Sequence, residues 1–287
     1  MAKKIVYQEP EDYLIRITVC SMKSFLNPHP FQINADTVKI NHILENSTDS
    51  NFIIFPEFTF SSELEEIYQT FSNVNSCVII GGSGLESIGD KFYAYCPIFI
   101  PNQPVLKVYK KYITHTETIL SYGKLIGYDD DVQREIVLTH GDIDISFSVY
   151  ICYDFLVENK NKRTDIIFIP QYESSPDQYI NEADRLSKGF RNFVIGCNNC
   201  NNNQRSLGFA ILNNSVIELL SLQGYRNQLY SDMNQNKLNH HHTVFYDVND
   251  ERIITFDLNI GKPYSLPFTY NLANMQPVLI PIKNASI

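Results

Sequence analysis

A chain of 287 residues with 44% hydrophobic content is long enough to bury a large core, and no low-complexity linker divides it. Its 23 Lys and Arg against 32 Asp and Glu leave a net charge of −9, which repels phosphate backbones and anionic lipid and so speaks against nucleic acid and membrane surfaces as partners. The N-terminal stretch carries no uninterrupted apolar region, and no run approaches the ~18 apolar residues that would span a bilayer, so a soluble cytoplasmic protein is expected. Six cysteines in a chain of this length, several of them inside apolar runs, are read as reduced core thiols.

After a polar leader, Tyr13–Cys20 alternates as a first strand, and Ala35–Asn46 places Ile40, Ile43 and Leu44 at helical spacing. Asn51–Phe58 is a continuous apolar run, the mark of a strand covered on both faces. Pro56 ends its ladder and leaves Glu57 at the strand's mouth. Leu64, Ile67, Tyr68 and Phe71 then form one helix face, with Ser61 as its cap, and Cys77–Gly81 is the next strand. The glycines of 81–84 and Gly89 lack the Gly-Lys-Ser/Thr of a phosphate-binding loop and are read as turning the chain into a hairpin. Its strands are Lys91–Ile100 and Val105–Tyr109, and Lys110 and Lys111 lie at the far end.

Residues 112–141 read as a long polar excursion. The alternating run Ser146–Asp154 follows and delivers Cys152 to a strand end. There the pattern stops, so backbone N–H groups turn outward, and a thiol beside free donors suits acyl chemistry. Asp165–Gln171 is a second buried strand broken by a proline, 176–192 is helical with Tyr179, Ala183, Leu186 and Phe190 on one face, and Phe193–Cys197 completes a strand–helix–strand unit. Further short strands are expected at Ser206–Leu212, Val216–Leu222, His242–Val248 and Arg252–Leu258. The sequence thus divides into one domain over 1–260 and a proline-rich extended tail over 261–287, packing on the domain or on a partner subunit.

Three strand ends carry the chemistry: Phe55-Pro-Glu57, Tyr109-Lys-Lys111 and Ile151-Cys-Tyr-Asp154. In this order and spacing, 54 residues from Glu57 to Lys111 and 41 from Lys111 to Cys152, the chain resembles the nitrilase superfamily of carbon–nitrogen hydrolases. The likeness extends over roughly residues 14–260 and implies an α/β (α+β) protein, a four-layer α-β-β-α sandwich of the nitrilase type. It implies a cofactor-free, metal-free hydrolysis of a small-molecule amide or nitrile, with an amide the expected substrate, through a thioester on Cys152. Glu57 would be the general base, Lys111 the electrophilic clamp, Tyr153 the backbone N–H donor to the oxyanion, and Glu117 a second carboxylate positioning the lysine. Gln171, Tyr172 and Glu173 would line the substrate cleft, with Glu173 favouring a cationic or amine-bearing substrate. A homodimer or larger homo-oligomer is implied as well.

The chain departs from the family's pattern at several points. Lys110 stands where an arginine is usual, Ala210 where a serine is common, and the segment from Phe155 to Arg163 is shortened and polar, which implies a truncated elbow helix. Other readings stay open: a zinc site from Cys197, Cys200 and His240–His242, a Cys–His hydrolase pairing Cys152 with His115 or His140, and a catalytically idle subunit using the fold for assembly or ligand binding.

Overall fold

The computed structural model of the chain describes residues 6–9, 12–140, 143–158, 160, 164–173, 177–190, 193–199, 209–212, 215–217, 251–259 and 278–281. Its elements in chain order are β1 (Val6–Glu9), β2 (Asp12–Ser21), β3 (Leu26–Pro28), β4 (Phe31–Ile33), α1 (Thr37–Glu45), β5 (Phe52–Ile54), α2 (Glu65–Asn75), β6 (Val78–Ile80), β7 (Gly84–Ile88), β8 (Lys91–Phe99) and β9 (Leu106–Tyr109). Then follow α3 (His115–Leu120), β10 (Glu135–His140), β11 (Ile143–Val149), α4 (Asp154–Val157), β12 (Ile166–Gln171), α5 (Asp177–Phe190), β13 (Phe193–Asn198), β14 (Phe209–Leu212), β15 (Ser215–Ile217), β16 (Arg252–Asn259) and β17 (Val278–Pro281).

Two sheets face each other. One runs β17-β16-β2-β5-β6-β8-β7, with β1 added on β2 and β9 on β8; the other runs β10-β11-β12-β13-β14-β15. At the centre of each sheet, successive strands are parallel: β2, β5 and β6 in the first, β11, β12 and β13 in the second. Parallel centres of this kind need both faces covered, and the strand residues show it. Phe52, Ile54, Val78 and Ile80 point into the core between the sheets with Phe147, Val149 and Phe168. Their neighbours Ile53, Phe55, Cys77 and Ile79 point the other way, against Ile40, Ile43 and Leu44 of α1 and Tyr68 of α2. On the outer face of the second sheet α5 buries Tyr179, Ala183 and Leu186, so the layers are α-β-β-α as expected.

Four segments differ from the sequence reading. Val6–Glu9, taken as leader, pairs with β2, and Gly84–Ile88, taken as turn, is a strand on β8. The excursion over 112–141 contains α3 and β10. Helix α3 has only six residues, too few to register as periodicity, and is held by a capping box in which Thr114 and Glu117 satisfy each other's backbone N–H. Ser61, expected to cap α2, instead donates its hydroxyl to Glu63 at 3.0 Å, and the helix is entered through a 3₁₀ turn. Within the tail, Val278–Pro281 pairs antiparallel with β16 of the same chain. The strand expected over His242–Val248 lies outside the described residues. Among the described residues no helix is long and apolar enough to cross a membrane.

Candidate active site

Beyond the end of β11 the backbone still follows β12. Tyr150 N–H donates to Phe168 O at 3.0 Å and Cys152 N–H to Pro170 O at 2.9 Å. Cys152 itself has φ 46°, in the left-handed region that a side chain enters only under strain, so the chain turns sharply into α4 there. That short helix has four residues, the truncation expected from the polar segment after Asp154. Tyr153 N–H, just past the thiol, donates no hydrogen bond within the described residues and is the one expected to hold the oxyanion.

Glu57 reaches the same place from the first sheet. Pro56 breaks the ladder after β5, and Glu57 N–H crosses to Gln171 O of β12 at 3.2 Å. The turn is seated on the glycine-rich segment: Phe58 N–H donates to Ser83 Oγ at 2.9 Å, and Gly82, at φ 77°, lies so close that a Cβ would stand 2.3 Å from Pro56 O. The Gly81–Gly84 motif is therefore a packing seat for Glu57.

The lysine beside Glu57 is Lys110 and not Lys111. Lys110 Nζ donates to Glu57 Oε1 at 2.8 Å and to Glu117 Oε1 at 2.5 Å, with its side chain wholly buried. Side chains alternate along a strand, so the inward face of β9 that carries Val108 also carries Lys110. Lys111 follows on the opposite face and is half-buried. Its N–H donates to the Asp154 carboxylate at 3.1 and 3.2 Å, and its carbonyl packs on Gly127. The expectation of a usual arginine at position 110 placed the family's Tyr-Arg-Lys segment one residue out of phase, and one residue inverts the face. Glu117, expected beside Lys111, meets Lys110 through Oε1 while Oε2 accepts from Thr114 N and Oγ1, both at 2.8 Å.

Burial governs the charges. It pushes the Glu57 carboxyl up from 4.5 to about 7, against the pull of Lys110 and with a smaller push from Glu117. The Cys152 thiol is raised well above its ordinary value by burial and then by Glu57, so the resting sulfur is protonated. Burial alone would discharge Lys110, but Glu117 and Glu57 outweigh it and hold the ammonium. A buried acid poised near neutrality beside a thiol is the arrangement for taking one proton and giving it back.

A second network, not foreseen from the sequence, joins the elbow to the lysine. Asp154 accepts from Lys111 N, Tyr112 N (2.9 Å) and Arg134 Nη2 (2.7 Å), and Arg134 also binds Glu158 and, at 3.0 Å, Tyr109 O. Arg134 thus clamps the end of β9 onto α4. Gln171, whose carbonyl accepts from Glu57 N–H, lies fully buried with its side-chain amide unpaired at both ends. Tyr172 packs edge-on against Phe58 at 5.5 Å, and Glu173 N–H is tied to Asn198 Oδ1 at 2.9 Å.

Neither histidine of the Cys–His alternative reaches the thiol. His115 is exposed at the start of α3, and His140 pairs with Ile143 at the opposite end of β11, roughly 20 Å of strand away. Of the zinc alternative, Cys197 is buried in β13 with its thiol on the Cys20 and Ile54 carbonyls; Cys200 and His240–His242 lie outside the described residues.

No family model and no curated protein matches the chain. Solved structures do. XC1258 from Xanthomonas campestris, a CN-hydrolase superfamily protein with an arsenic adduct in its active site, is 14% identical and aligns over 85% of this chain and 90% of its own with a TM-score of 0.57. Nit3 of Saccharomyces cerevisiae, from branch 10 of the nitrilase superfamily, is 16% identical over 91% and 93%, TM-score 0.58. An amidase from Nesterenkonia sp. AN1, in complex with butyramide, is 11% identical over 85% and 90%, TM-score 0.57. The chain has the fold of the nitrilase superfamily.

Proposed function

We propose that the protein is a cofactor-free hydrolase of a non-peptide carbon–nitrogen bond in a small molecule, acting on an amide through Cys152, Glu57 and Lys110 with Glu117 in support. The observation that carries this reading is the convergence of a buried Glu57–Lys110–Glu117 cluster on a cysteine held at positive φ. Glu57 takes the thiol proton as sulfur attacks the carbonyl carbon. The developing oxyanion is met by the Lys110 ammonium and the Tyr153 N–H, each good donor being worth roughly 3–4 kcal/mol in a water-poor site. Glu57 returns the proton to the departing nitrogen and then activates the water that opens the thioester.

Gln171, Tyr172 and Glu173 line the substrate side of this reading. The unpaired Gln171 amide suits a substrate offering both a donor and an acceptor, and Glu173 suits an amine-bearing one. Assembly as a homodimer or larger homo-oligomer, in the cytoplasm, belongs to the same reading. The test is ammonia release from a panel of small amides, nitriles and ureides, with intact-mass trapping of the acyl adduct. Cys152→Ala is expected to abolish both release and adduct, and Glu173→Gln to lower the preference for amine-bearing substrates. No turnover and no adduct across the panel would favour an idle subunit that uses the fold for assembly or ligand binding.

A further inference from the structure

Tyr179 sits in the first turn of α5, in a different layer from Glu57 and Lys110, yet its Oη lies 3.3 Å from Cys152 Sγ. Both side chains are buried, 1% and 3% exposed, so water does not compete for this contact. The phenol ring lies parallel to Phe155 at 6.3 Å and 12°, and Phe155 belongs to the helix that the elbow opens. Nucleophile and phenol are thus held by one packed unit.

The charged groups acting on the thiol are Glu57, Lys110 and Glu117; Glu173, two residues past β12, and Glu57 act on Tyr179. Glu57 and Glu117 oppose a thiolate; Lys110 and Tyr179 favour it. The Lys110 ammonium is already shared between two carboxylates. Burial, and then Cys152, push the phenol pKa up, so it keeps its proton and can only donate to an anionic sulfur.

We propose that Tyr179 is a catalytic hydrogen-bond donor to the Cys152 sulfur, holding and aiming the thiolate that forms when Glu57 removes the proton. This rests on Cys152 being the nucleophile in the hydrolysis proposed above. The proton leaves Sγ for Glu57, the S–C bond forms as the carbonyl π pair moves onto oxygen, and the C–N bond breaks as Glu57 protonates nitrogen. Tyr179 keeps its own proton throughout, and its bond weakens once sulfur is a neutral thioester. Its contribution therefore falls on the supply of thiolate, which burial makes scarce.

Tyr179→Phe keeps the ring and its stacking and removes one O–H. The rate of Cys152 alkylation by iodoacetamide is followed against pH by intact mass, with Cys152→Ala as the blank, alongside amide turnover and thermal melting. Alkylation near neutral pH is expected to fall about tenfold to a hundredfold, the profile to move to higher pH, and the melting temperature to hold. An unshifted profile overturns the assignment. Alkylation needs no turnover, so a shifted profile in a protein that turns over none of the amides, nitriles and ureides keeps Tyr179 as the donor to the sulfur but refutes the hydrolase reading and, with it, the catalytic part of the assignment. Should the variant melt early, fluorotyrosine at position 179 of the intact chain replaces it. The more acidic phenol is expected to move the profile to lower pH, and no movement overturns the proposal.

Discussion

Glu57 carries the pH dependence of the proposed reaction. With its carboxyl held at about 7, kcat/KM for ammonia release is expected to fall about tenfold per pH unit below that value, as the base takes up a proton, and to level off above it. A pH profile of kcat/KM on the best amide checks this. On stability the sign runs the other way. The folded value lies above the ordinary 4.5, so Glu57's contribution is fully present below pH 4.5 and is lost as pH rises through about 7. The two lysines offer a sharper comparison. Lys110→Met leaves Glu57 and Glu117 buried without their cation, which is expected to cost roughly 3–5 kcal/mol and all turnover. Lys111→Met removes a half-buried side chain whose backbone makes its contacts, and is expected to keep both fold and activity; urea unfolding and ammonia release on the pair separate the two. The lysine's neighbourhood was legible in the sequence, but its identity turned on which face of β9 looks inward.

At the scale of elements, the site is three strand ends and the turns that hold them. The Glu57 turn depends on Gly82, where a Cβ would meet Thr59 Oγ1 at 2.2 Å and the backbone is already left-handed. Gly82→Ala is expected to cost about 1–3 kcal/mol and to lower kcat more than it raises KM, because it displaces Glu57 and leaves the substrate loop intact. Melting curves and steady-state kinetics on the one variant test both parts. The strands bearing Glu57 and Cys152 were legible because a continuous apolar run broken by a proline, in the first, and period-two alternation, in the second, are local signals. Short α3 was not: its six residues are fixed by a capping box and by the ion pair of Glu117 with Lys110, neither of which shows as hydrophobic periodicity.

Across the whole molecule, chain positions far apart are stapled together. Lys39 of α1 binds both oxygens of Glu251, at 2.8 and 3.0 Å, and Glu251 also accepts from Lys23 N–H at 2.8 Å, joining the first helix to the entry of β16. Both partners are nearly buried, so Lys39→Ala is expected to destabilise the fold by roughly 3 kcal/mol while leaving turnover of the folded fraction unchanged. Urea unfolding against activity at low temperature measures the two separately. That separation follows from the layering: this staple lies on the α1 side of the first sheet, while the thiol faces Tyr179 on the α5 side of the second.

By itself the sequence determined what neighbouring residues decide: which runs are buried strands, where a proline stops them, and hence that Glu57 and Cys152 stand at strand mouths; the four-layer sandwich was implied by the family resemblance that those strand ends carry. Tertiary structure alone decided what depends on partners distant in the chain. Lys110 rather than Lys111 meets Glu57 across 53 residues, Arg134 reaches Asp154 across 20, and Tyr179, read from its helix face as core, meets Cys152 across 27. Hydrophobic patterning reports that a side chain is inside, and only packing reports which buried polar atom it meets there.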